Sequence, residues 1–108
     1  MSALELVATE IGVAADELTV WIERRWVLPG TSGSELDFTE IDRARLRMIV
    51  EFRRDLAIDD EAMPVILDLV DRLHAARAEL RRIMEAVAEL PAPERGKVLA
   101  RIIGEGKG

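Results

Sequence analysis

The segment from Ala62 to Leu90 constrains this chain more than any other. Ala62, Ile66, Leu69, Leu73, Ala76, Leu80, Ile83, Val87 and Leu90 follow one another at alternating steps of four and three. That spacing holds one apolar line on one side of a helix for about four heptads, the pattern of a coiled-coil strand. A second strip, Met63, Leu67, Val70 and His74, occurs only in the first half. At ~100° per residue it points well away from the centre of the first line. The first half of this helix is therefore expected to bury two faces and pack on a globular body. The second half is expected to project as one arm of a coiled coil. No other segment of a 108-residue chain is long enough to cover the whole seam. A homodimer through Leu69, Leu73, Ala76, Leu80, Ile83 and Val87 follows, with an internal helix contact as the competing reading.

The segments before the seam read as short helices and turns. Ser2 and Glu5 have the spacing of a capping box at the start of a first helix, which Gly12 ends. Asp16 reads as the N-cap of a second helix, with Leu18, Trp21 and Ile22 facing a core. Two short helices around a glycine-containing turn suggest a helix-turn-helix. Pro29-Gly30-Thr31-Ser32-Gly33-Ser34 is a loop by composition, short enough for a reduced wing, and Phe38 anchors the return. Thr39 opens a third helix with Asp42 three positions on. Ile41, Leu46, Ile49, Phe52 and Leu56 form its apolar side, and Arg43, Arg45, Arg47, Arg53 and Arg54 decorate much of the rest. Asp59-Asp60-Glu61 places three carboxylates where the macrodipole of the seam helix favours them. Pro64 is tolerated there if it falls in the first turn. After Leu90, Pro91-Ala92-Pro93 breaks the chain, a short helix over Glu94–Ile103 follows, and Gly104-Glu105-Gly106-Lys107-Gly108 reads as a frayed tail.

The expectation is one all-α domain in three parts: a helix-turn-helix-like body over 1–58, the long helix over 59–90, and a short helix with a flexible tail over 91–108. There are no cysteines, which excludes disulfides and thiolate metal sites. The start of the chain has no basic segment followed by an apolar stretch, so a cytoplasmic location is expected. A net charge of −6 opposes phosphate backbones and favours a basic protein surface as partner. His74 is the only histidine, leaving no second histidine for a metal pair and no cysteine for a dyad. No phosphate loop, nucleophile elbow or zinc spacing occurs. Neither an enzyme nor a cofactor or metal site is expected.

The aligned stretch Leu18-Thr19-Val20-Trp21-Ile22-Glu23, then Trp26-Val27-Leu28, resembles the recognition segment of MerR-type regulators. The aromatic residue and Glu23 are in register. Val20 stands where the DNA-contacting arginine would be, and Trp26 where the glycine would be. A closer resemblance is to the chaperone-modulator (CbpM-like) branch of that superfamily. It rests on Trp26-Val27-Leu28-Pro29, on Phe38-Thr39-Glu40-Ile41-Asp42-Arg43-Ala44-Arg45-Leu46, and above all on the stretch from Asp60 through Pro64-Val65-Ile66-Leu67-Asp68-Leu69 to Leu73-His74. The resemblance covers roughly residues 3 to 90. It implies a MerR-like winged helix-turn-helix with a reduced wing, followed by a long coiled-coil-type helix. It also implies a function: binding the J-domain of a CbpA-type, DnaJ-like co-chaperone and inhibiting its work with DnaK.

A modulator that masks the basic J-domain surface should present acid. Asp60, Glu61, Asp68 and Asp71, if helical, fall within a ~100° arc roughly opposite the seam. With Leu67 and His74 at its edge, this stripe is the expected partner-binding surface. The bland reading is a solvated helix face. A MerR-type DNA-binding regulator and a scaffold that only dimerises are the alternatives.

Overall fold

A computed structural model of the chain describes residues 1–106, with side chains through Gly104. In chain order the elements are α1 (Ala3–Ile11), α2 (Ala15–Glu23), β1 (Gly30–Ser32), β2 (Glu35–Asp37), α3 (Glu40–Arg54), α4 (Met63–Ala88) and α5 (Ala92–Gly106). The chain is therefore all-α apart from one small hairpin. No helix among the described residues is long and apolar enough to cross a membrane. The chain divides into two compact units, Met1–Leu67 and Asp68–Gly108.

In the first unit the helix ends are fixed by local chemistry. The Ser2 hydroxyl accepts a hydrogen bond from the Glu5 backbone N–H and so caps α1. At its other end Gly12 sits at φ +87, a left-handed turn that a Cβ would strain, and the Gly12 and Val13 N–H groups both donate to the Ala8 carbonyl. That tight turn leaves the chain helical again by Ala15. The N-cap of α2 is thus Ala14, with no side-chain cap, and Asp16 is the second helical residue, not the cap expected from sequence. Asp16 and Glu17 there still meet the positive end of the helix dipole. α2 ends with Arg25 in the left-handed region at φ 64. The Trp26 N–H donates to the Trp21 carbonyl and the Arg25 N–H to that of Ile22. This is a Schellman closure, and its apolar clasp is the stacked pair Trp21–Trp26, with ring centroids 6.2 Å apart.

The segment expected to be a loop or a reduced wing forms a two-stranded antiparallel hairpin in register Gly30↔Asp37, Thr31↔Leu36 and Ser32↔Glu35. Gly33, at φ +65, takes the first place of its two-residue turn, where such hairpins favour glycine. The hairpin is tied to α1, since the Ala3 N–H donates to the Glu35 carboxylate. α3 opens with a complete capping box: the Thr39 hydroxyl accepts from the Asp42 N–H, and the Asp42 carboxylate accepts from the Thr39 N–H.

The core of this unit joins Val7 and Ala8 of α1, Leu18 and Trp21 of α2, Trp26, Val27 and Phe38 of the connecting segments, Leu46 and Ile49 of α3, and Met63 and Leu67 of α4. Fully burying a side chain of this size stabilises by ~1.5–3 kcal/mol, so the two α4 anchors matter. Ile41 and Leu56, expected on the apolar side of α3, are exposed instead. They lie at or beyond the helix ends, where the buried line of Leu46 and Ile49 no longer faces the core.

α4 begins at Met63, later than the sequence suggested. Asp59 accepts from the Ala62 N–H and closes the preceding turn, so Asp60 and Glu61 lie in a turn ahead of the helix and not on it. Pro64 is the second helical residue, where its missing N–H costs nothing. The compact body therefore runs on to Leu67 and does not stop at residue 58.

The second unit holds the rest of α4 and all of α5. Val87 is its one buried large side chain among the described residues. α5 is longer than the short helix expected over Glu94–Ile103. It starts at Ala92, inside the proline pair, and continues through Gly106. Residues 104–106 of the expected frayed tail are thus helical, and Lys107 and Gly108 lie outside the described residues.

Candidate partner-binding surfaces

In the first unit a lattice of arginines and carboxylates surrounds the two tryptophans. The Arg24 guanidinium lies 5.4 Å from the Trp26 ring centre and pairs with Asp60 at 3.1 Å. Arg53 lies 5.8 Å from the Trp21 ring centre, pairs with Glu17 at 2.6 Å and approaches Asp60 at 3.8 Å. Asp60 thus sits between two arginines of its own chain. Its charge is largely answered inside the molecule, which weakens the expected role in a partner surface. Glu61 is exposed in the same turn and has no ion-pair partner among the described residues.

Leu67 corrects the expectation more sharply. It was placed at the edge of the acidic stripe, yet it is only 3% exposed and belongs to the core. Met63 and Leu67 show that the second strip, not the heptad seam, meets the body. Further along that strip Val70 is half-buried and His74 exposed.

The arginines of α3 are occupied as well. Arg43 pairs with Glu10 at 2.9 Å and donates to the Phe38 carbonyl, Arg45 donates to the Trp26 carbonyl, and Arg47 reaches Glu10 at 3.4 Å. Arg54 donates to the Gly12 carbonyl. These side chains staple α3 to α1, to the α2 exit and to the Gly12 turn. A groove of about 320 Å³ lies between Val13, Glu17, Trp21, Val50, Arg53 and Arg54. Its polar groups face one another or the backbone, and no buried side-chain polar atom lacks a partner among the described residues. The outer face of α2 carries Asp16, Thr19, Val20 and Glu23, all exposed and within a ~100° arc at ~100° per residue. A helix with that face repels a phosphate backbone.

In the second unit two faces of α4 are open. Leu69, Leu73, Leu80 and Ile83 of the seam are exposed, with Ala76 between them, while Val87 is covered. Asp68 and Asp71 are exposed on another side, ~140° from the seam's centre at ~100° per residue. Asp68 pairs with Arg72 one turn on, at 3.0 Å, so this acid is flanked by one base. Of the residues expected in one stripe, Asp68, Asp71 and His74 share this unit. Asp60, Glu61 and Leu67 belong to the first.

Among the described residues no group of three or more histidines or carboxylates could hold a metal ion. No protein-family profile, no curated protein and no solved structure matches the chain.

Proposed function

We propose that this chain is a non-enzymatic adaptor that pairs with a second copy through α4 and binds the basic J-domain of a CbpA/DnaJ-like co-chaperone, restraining its work with DnaK in the cytoplasm. The observation that carries the adaptor reading is the pair of separate exposed faces on α4, leucines on one side and Asp68 with Asp71 on another. The J-domain as partner rests on the resemblance of residues 60–74 to the chaperone modulators. The MerR-like winged helix-turn-helix belongs to the same reading, supported by the order α1, turn, α2, hairpin, α3.

An antiparallel pairing suits the seam best. In a parallel pair Ala76 would meet Ala76 of the second copy and leave a thin layer. Reversed about residue 78, Ala76 meets the second copy's Leu80 and Leu73 meets its Ile83; Val87, expected in the seam, is covered within its own unit and takes no part. Small then faces large, as tight packing prefers.

A MerR-type DNA-binding regulator is the second reading, favoured by the same element order. The acidic outer face of α2 and the occupied arginines of α3 speak against it. Titration at low salt separates the two. Saturable binding of the isolated J-domain, with no selective binding of genomic DNA fragments, is the expected result. Sequence-selective DNA binding with no J-domain binding would overturn it. Dimerisation with neither would leave a scaffold.

A further inference from the structure

The chain has no cysteine, so its oxidisable sulfur lies in four methionine thioethers. The fold treats them very differently. Met63 is fully buried in the core of the first unit, and Met48 is half-buried against that core. Met1 is exposed ahead of α1. Met84 is the one methionine that is both exposed, at 43%, and held in a helix.

Its place on α4 gives that exposure a consequence. At ~100° per residue Met84 lies about 60° from the centre of the seam. Leu80 is one turn back and Ile83 is adjacent, both exposed. In the heptad Met84 takes the position just outside the apolar line, where side chains wall the holes that receive the second copy's knobs. A pliable apolar thioether suits that wall. Its sulfoxide does not, because the S–O group is strongly polar and must lose water to fit there.

We propose that Met84 is a redox modification site that controls self-association: a hydroperoxide oxidises its sulfur, and the sulfoxide loosens the pair. The thioether sulfur donates an electron pair to the peroxide's terminal oxygen. An S–O bond forms, the O–O bond breaks, and the proton of the transferred oxygen leaves with the departing oxygen, as water when the oxidant is hydrogen peroxide. Sulfur is oxidised and the peroxide reduced. The inference rests on the pairing through α4 proposed above. Pairing covers Met84 and the single chain exposes it, so oxidation and association compete.

The full chain treated with dilute hydrogen peroxide tests this. Mass mapping should find sulfoxide at Met1 and Met84 well before Met63; Met84 reacting no faster than Met63 overturns the site. Raising the protein concentration should slow Met84 and not Met1. A Met84 rate independent of concentration, in a sample that dimerises, overturns its place at the seam. By sedimentation, oxidised wild type should dissociate at least ~10-fold more readily, about 1.4 kcal/mol. Met84→Leu given the same peroxide should change less than ~3-fold, under 0.7 kcal/mol. No change in wild type, or an equal loss in Met84→Leu, overturns the proposal and leaves the seam standing. Reduction by the two methionine sulfoxide reductases should restore the dimer, and a loss that outlasts the sulfoxide overturns it. Met84→Gln, polar and of similar helix preference, should weaken the untreated dimer at equal helix content; a dimer as tight as wild type overturns the proposal. Untreated wild type that stays monomeric overturns the pairing through α4 and this inference with it.

Discussion

Leu80 is 59% exposed in the single chain, the most open of the seam leucines. Full burial of a leucine side chain stabilises by ~1.5–3 kcal/mol, so covering its remaining surface contributes about 0.9–1.8 kcal/mol. A symmetric pair contains two such side chains, hence about 1.8–3.5 kcal/mol for Leu80→Ala. At 1.4 kcal/mol per decade the dimer dissociation constant should rise roughly 20- to 300-fold. Any unfilled cavity adds to this. The fold of the first unit should not change, since Leu80 lies outside it. Sedimentation equilibrium at several loading concentrations, with far-UV circular dichroism as control, reads the effect. A dissociation constant within threefold of wild type would refute the assignment of Leu80 to an interface. So would Leu80→Ala losing as much helix as dimer, which would make the seam leucine an internal packing residue.

Other substitutions test the first unit. Leu67→Ala should cost ~2–5 kcal/mol in denaturant unfolding, because Leu67 is a core side chain; a loss under ~1 kcal/mol would return it to the surface. Arg25→Gly should raise the melting temperature by relieving ~1 kcal/mol of left-handed strain at φ 64, and a lower melting temperature would contradict that closure of α2. Asp60→Asn removes ion pairs that are about half exposed, so it should cost less than ~1 kcal/mol and leave J-domain affinity nearly unchanged. A large affinity loss in that variant would restore Asp60 to the partner surface.

Much of the fold was legible because it depends on local chemistry. The Thr39–Asp42 capping box, the Gly12 stop, the proline at the start of α4 and the Leu18–Trp21 core line each act within one turn of helix. The hairpin was legible as punctuation, and Gly33 supplied its turn. The errors arose where tertiary choices decide. Asp16 has the chemistry of a cap, but the turn closed on the Ala8 carbonyl starts the helix one residue ahead of it. Asp60 reads as a helix-face acid until Arg24 and Arg53, distant in sequence, are seen to hold it in a turn. α4 has two apolar strips, and either could have met the body. The direction of the chain after Ala57, itself left-handed at φ 51, brings Met63 and Leu67 inward and leaves the heptad line open. That choice cannot be read from periodicity, and it moved Leu67 from the proposed site into the core. Asp68, Asp71 and His74 remain as the surface part of the original stripe.

The measurement closest to the central claim is a calorimetric titration of a J-domain into the full-length Asp68→Lys, Asp71→Lys double variant and into wild type, at low and at moderate salt. Each exposed charge contact contributes up to ~1 kcal/mol, so reversing two of them should weaken binding roughly 10-fold or more. The difference should shrink as salt rises, since exposed charges are screened. Helix content should be equal in the two proteins. Equal affinities at low salt, or no J-domain binding by wild type, would contradict the account of this chain as an acidic adaptor.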